Sequence, residues 1–306
     1  MAGLYSLAKG ARAQHEVLSR ECRTDQYFTN KGWLHLFRTP RGFESSLGMR
    51  QALEQYGIGF DCVDKPEIAE LEPGLKPIFH SGVLIRDAAT CSDPGAISEA
   101  LMVRFNAQGG TLVHDHVIGI QPADSGWWVV LKQGRIETWQ LVIAMGVNSG
   151  DLLKSQGLDV PLYAERGYHQ HFVPGGDHRL NRSIFDVESS YVMSPMQAGL
   201  RVTSGIEWAK ADAKPTPKQL ERIVPKARQA MELGDAVEVE PWLGCRPQTA
   251  DSLPMIGQAK PGLWVNAGHG HMGFNLGPVS GKVLAQTIHG EEPEIGLTPY
   301  SPWRFQ

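Results

Sequence analysis

The stretch Gly262–Leu284, "GLWVNAGHGHMGFNLGPVSGKVL", constrains this 306-residue chain more than any other. An apolar run leads into Gly268, Gly270 and Gly273 in G-x-G-x-x-G spacing, and a helix-like run follows. Strand, glycine loop and helix in that order make an α/β element. Its loop lets the backbone approach a ligand closely at a helix N-terminus. A dinucleotide pyrophosphate loop needs more, namely a second buried strand carrying an acid about 20 residues on. Here the helix ends near Gly290, and Glu291, Glu292 and Glu294 lie in a Pro-rich tail that closes at Gln306. From the residues alone, a pyrophosphate loop, another ligand loop and close strand–helix packing all stay open.

The first ~25 residues place Leu4, Leu7, Ala11, His15 and Leu18 at helical spacing. Residues 32–39 alternate like a strand, and "GFESSLGMRQALEQYG" reads as one helix stopped by Gly57. "DCVDKPEIAELEPGL" reads as an extended piece, a turn and a brief helix. Ser92 or Asp93 caps a helix with Pro94 in its first turn, and Gly109–Gly110 end it. Strands joined by short turns follow, the last of them Leu141 to Ala144, apolar throughout as in a strand buried on both faces. A β-rich stretch runs from Pro161 to about Trp208, then a helix with an internal Pro225.

Composition is that of an ordinary globular protein: 42% hydrophobic and 20% charged residues, net charge −4. Nothing in it points to nucleic acid. Four scattered cysteines without C-x-x-C spacing, no long apolar run and no signal peptide point to a cytoplasmic protein with reduced thiols, with a peripheral place at the inner membrane as the alternative. Three H-x-H pairs, His114/His116, His169/His171 and His269/His271, could each offer two imidazoles to a metal from one strand face. No H-E-x-x-H or carboxylate pattern completes a set, so no metal is expected. Arg246, in a Gly/Pro-rich turn, needs an anionic partner, either a ligand or Asp251, or else clamps backbone carbonyls. Asp251 itself reads as an Asx-turn residue.

Seven segments together carry a resemblance. They are "DPGAISEAL" (93–101), "LVIAMGVNSGDLL" (141–153), "RGYH" (166–169), "GLRVTSGIEW" (199–208), "WLGCRPQTADSLPMIG" (242–257), "NAGHGHMGFNLGPVSGKVLA" (266–285) and "SPWRF" (301–305). The chain resembles the FAD-dependent D-amino-acid oxidase and dehydrogenase superfamily, and most closely the bacterial D-amino-acid dehydrogenase small subunits. The resemblance implies an α/β fold in which a Rossmann-like FAD-binding domain (88–160 and 247–306) is interleaved with an antiparallel-sheet substrate domain (21–87 and 161–246), after an N-terminal helix (1–20). It implies that Gly268, His269, Gly270, Met272, Gly273 and Phe274 hold the flavin ring, with Gly146 and Val117 elsewhere along FAD. Arg246 is then the fork for the substrate carboxylate, with Tyr168 and His271 on the substrate side. No side-chain base is nominated.

The implied reaction is oxidation of an amino acid to an imino acid and then a keto acid. Hydride passes to the flavin, and the acceptor is oxygen, a quinone or a protein. The family's own N-terminal strand, glycine loop and helix have no counterpart in this sequence. The expectation is therefore a chain that begins after that segment, or one completed by a partner chain that supplies it. A non-catalytic subunit and a histidine metalloenzyme are the competing readings.

Overall fold

The computed structural model describes residues 2–176, 179–203 and 205–306. Its largest element is a ten-stranded sheet built around the strand Leu162–Pro174, which pairs antiparallel with Gly199–Thr203, Glu207–Trp208, Leu233–Ala236 and Trp242–Thr249. The sheet continues through Tyr191–Met196 and Ile184–Asp186 to Trp33–Phe37, Ser81–Ile85 and Phe60–Asp64, so both halves of the chain contribute to it. Ile184–Asp186 runs parallel to Trp33–Phe37, and the rest of the path is antiparallel. One face is closed by the helix Lys218–Ala230, whose Leu220, Ile223 and Ala227 join Leu34, Leu36, Ile184 and Met193 in the main core.

A second unit holds two three-stranded sheets. In one, Leu263–Ala267 lies between Met255–Lys260 (antiparallel) and Leu141–Ile143 (parallel). The other is the meander Val117–Ala123, Gly126–Leu131 and Gly134–Thr138. The helix Gly273–Ile288 packs against the N-terminal helix Ala2–Cys22 through Leu7, Ala11, Leu276, Val279 and Val283.

The helix cap at Asp93 forms as the sequence indicates: its side chain accepts from the Ala96 N–H at 2.9 Å, and Pro94 opens the helix Pro94–Ala107. Three expectations are corrected. The segment before Gly57 forms two helices, Pro40–Ser45 and Leu47–Gln55, which meet at Ser46, where the hydroxyl turns back onto Phe43 O. The strand Leu141–Ile143 is not buried on both faces. Among the described residues it has a strand partner on one side only, and Val142 is 39% exposed. The strand carrying Arg246 runs on to Thr249, so a boundary at 246/247 falls inside a single element.

Candidate active site

Arg246 sits in a strand and not in a turn. Trp242–Thr249 pairs along its whole length with Leu162–His169, and the register sets Arg246 opposite Glu165 and Gly244 opposite Gly167. Side chains alternate across a strand, so Tyr163, Glu165, Gly167 and His169 share the face that carries Trp242, Arg246 and Gln248. The guanidinium lies over Gly167, where an added Cβ would come within 2.4 Å of Nη1. The missing side chain is what lets the cation lie flat there. Gly167→Ala should therefore displace the Arg246 guanidinium from its place over the strand. We expect a denaturant melt to show a loss of about 0.5–3 kcal/mol, because the displaced guanidinium strains its pair with buried Glu165. Turnover of carboxylate substrates should fall at least ~10-fold, since ångström misplacements have that effect.

Arg246 donates from Nη1 to Glu165 Oε1 at 3.2 Å, and His271 Nδ1 contacts the same oxygen. Glu165 is 3% exposed. Burial, and then the Arg246 cation, hold the His271 pKa below the usual imidazole range, against the pull of Glu165. Asp251, weighed above as a partner for Arg246, instead binds Arg304 (Oδ2 to Nε at 2.7 Å, Oδ1 to Nη2 at 3.0 Å). Its Oδ1 also accepts from Leu253 N, which closes an Asx turn.

The glycine loop folds onto the same strand. Gly268 (φ +80°) and Gly270 (φ +54°) adopt left-handed conformations. A Cβ on Gly270 would lie 1.9 Å from Gln248 Oε1, and one on Gly268 would lie 2.6 Å from Thr249 Cγ2. Only glycine fits at either position. His269 is half-buried and pairs Nε2 with Ser280 Oγ at 3.0 Å, which ties the loop to its helix. A cavity of about 700 Å³ opens between loop and sheet, lined by Tyr163, Glu165, Trp208, Gln248, His271 and Met272 among others. Phe274 turns the other way, packed at a tilt against His15 of the N-terminal helix (centroids 4.8 Å apart) beside a second groove of about 660 Å³. Gly277 and Gly281 also line that groove, and a Cβ at either would meet no atom within 4 Å.

The structure thus brings Arg246, His271, Met272 and the loop glycines together, and the short turn Gly146–Asn148 packs against the Arg246 strand. Tyr168 is placed elsewhere. It is 2% exposed on the opposite face, where its hydroxyl donates to Glu207 and accepts from Thr216 N at 2.7 Å and from fully buried Arg166. It braces the 210–216 segment and does not line the cavity. Val117 lies in the separate meander, opposite Leu131. Glu165 was missed in the sequence, although its spacing of two residues from Gly167 and four from His169 in a strand was the available signal. Of the H-x-H pairs, His169 and His171 stand 5.0 Å apart, with His171 bonded to Glu238. No group of three or more metal-ligating side chains occurs among the described residues. Among the same residues, no helix is long and apolar enough to cross a membrane.

Residues 2–287 match the family model described as FAD dependent oxidoreductase. The chain belongs to that family. It is 31% identical to a D-amino-acid oxidase of Bradyrhizobium diazoefficiens, over 99% of this chain and 73% of that protein. It is 28% identical to a D-amino acid dehydrogenase of Rhodopseudomonas palustris, over 100% and 75% respectively. Among solved structures, glycine oxidase from Geobacillus kaustophilus superposes with a TM-score of 0.89 at 23% identity, covering 99% of this chain and 84% of that one. L-proline dehydrogenase from P. horikoshii gives 0.80 at 17% identity, covering 98% and 82%. The fold is therefore the family's mixed α/β fold, and the cofactor of the family is FAD.

The residues present fit that cofactor. The helix Gly273–Ile288 begins at the loop, and its first N–H groups have no partner within the helix. The open glycines Gly277 and Gly281 leave that helix face unobstructed. Asn266 Oδ1, on the strand that delivers the loop, is buried without a hydrogen-bond partner. Its place at the carboxyl end of a parallel pair is where α/β sheets take ligands.

Proposed function

We propose that this FAD-dependent oxidoreductase oxidises an amino acid, of D configuration, to its imino acid, which water converts to the keto acid and ammonia. One observation carries the reading: a partly shielded guanidinium, Arg246, is paired with Glu165, which lines an open cavity beside the family's glycine loop. A guanidinium is the side chain best shaped to take a carboxylate through two parallel hydrogen bonds. Bound FAD supplies the two-electron acceptor for the α-hydrogen. The chain's own part is to hold and orient. Arg246 fixes the carboxylate, Trp208 and Tyr163 wall the cavity, and Gly268 to Phe274 present helix N–H groups where negative charge gathers. The D configuration is taken from the names of the curated relatives. Oxygen, a quinone or another protein serves as the final acceptor.

FAD-loaded protein mixed anaerobically with a panel of D- and L-amino acids should lose its flavin absorbance near ~450 nm with D-amino acids. L-enantiomers should react far more slowly. Reoxidation by oxygen and by a soluble quinone then ranks the acceptors. A flavin that no amino acid bleaches would remove the reading.

A further inference from the structure

Glu165 has one oxygen to spare. Its Oε1 takes both Arg246 Nη1 and His271 Nδ1, while Oε2 accepts no hydrogen bond from any described residue. A carboxylate this shielded is stabilised by cations or N–H donors, and a lone pair left over at a cavity wall is a vacancy for one more. The groups already at Oε1 come from two elements, Arg246 from the facing strand and His271 from the loop. Tyr163 and His269 complete the titratable groups nearby, and His269 is already committed to Ser280.

Building on the amino-acid reading, we infer that Glu165 is the amine-binding group of the site, so that Arg246 and Glu165 together read the substrate's zwitterion. An α-amino acid carries its carboxylate and its ammonium on one carbon. Across this strand pair a guanidinium and a carboxylate stand 3.2 Å apart, in the complementary order. The substrate carboxylate binds the guanidinium, and its ammonium donates to Glu165 Oε2. The α-carbon is then held at two points, and the rest of the side chain extends into the cavity. Glu165 serves here as a binding and specificity residue, distinct from a mere brace for Arg246.

The probe is 2-methylalanine, a zwitterion with no α-hydrogen, which therefore binds without being oxidised. Its partner is isobutyrate, the same acid without the amine. Calorimetry on FAD-loaded wild type should show 2-methylalanine binding at least ~10-fold more tightly, the scale of a charge-assisted hydrogen bond. Glu165→Gln should bring the two affinities within about threefold while leaving isobutyrate binding unchanged or tighter. A residue that only braced Arg246 would instead weaken both ligands together. N-trimethylation of 2-methylalanine, which removes every N–H donor, should abolish the preference in wild type, and this arm needs no variant to fold.

Equal affinity of wild type for 2-methylalanine and isobutyrate, or parallel loss of both in Glu165→Gln, would overturn the amine role and leave the amino-acid reading standing. A wild type that binds neither ligand and oxidises no amino acid would overturn both.

Discussion

Arg246→Ala in FAD-loaded protein should lower kcat/KM for amino acids by about 30-fold to several thousandfold while leaving the flavin spectrum unchanged. The size follows from two losses. The substrate carboxylate forfeits a fork of charge-assisted hydrogen bonds, and Glu165, almost fully buried, keeps only its contact with His271. Removing one partner of a shielded charge pair costs about 2–5 kcal/mol, which sets that range in affinity. Arg246→Lys should recover only part of it, because an ammonium cannot form the planar fork. Steady-state kinetics with an artificial acceptor measure both variants. Unchanged values for Arg246→Ala would strip the residue of its role.

Acid should destabilise the unliganded chain well above the range in which its carboxylates titrate. Burial lowers the pKa of His35, His169 and His269 from 6.5 to about 4, with the cations Arg201 and Arg246 adding to the effect at His169. His35 has neither ring nitrogen hydrogen-bonded and is packed edge-on against Trp33 and Phe185. Because these folded pKa values lie below the unfolded one, the unfolded chain binds more protons between pH ~4 and ~6.5. The stability is fully present above ~6.5 and is lost as pH falls toward ~4. At 1.36 kcal/mol per pKa unit, buried His35 contributes at most about 3 kcal/mol, and the partly exposed His169 and His269 contribute less because solvent screens them. Glu72, raised by burial, works in the opposite direction, but it is one group against three. Urea melts at pH 7 and pH 4.5 should differ by several kcal/mol, and His35→Phe should flatten the slope. A stability that stays level from pH 7 to 4.5 would mean that these imidazoles are protonated in the folded state.

What the sequence disclosed follows from where the local signal was strong. Gly268 and Gly270 were readable because left-handed backbone against Gln248 and Thr249 admits no other residue. Asp93 and Pro94 announced a helix start through their own hydrogen bonding. Glu165 was hidden for a different reason. A single acid in an alternating strand looks solvated, and only the partner strand's register shows that it faces Arg246. The same register moves Tyr168 out of the cavity. It lies three residues beyond Glu165, an odd number, so it projects through the opposite face of the sheet. Resemblance carried the residue type to that position but not the parity. Likewise, the apolar run at Leu141–Ile143 announced a strand without disclosing that its second side has no neighbouring strand among the described residues.

The interleaved topology also governs the order in which the molecule can come into being. Trp33–Phe37 finds its parallel partner Ile184–Asp186 only after much of the chain exists, and Lys31 meets Asn181 across 150 residues. Leu141–Ile143 waits in the same way for Leu263–Ala267, with Gln140 and Trp264 joined across 124 residues. Neither sheet can close on a ribosome until its late strands emerge. Until then the apolar "WLHLF" edge and its counterpart "LVI" stand unpaired in solvent. Chains dominated by such distant pairings fold slowly and are most exposed to aggregation in that interval. Soluble yield of this protein should therefore follow the pace of its synthesis more closely than the stability of its finished fold.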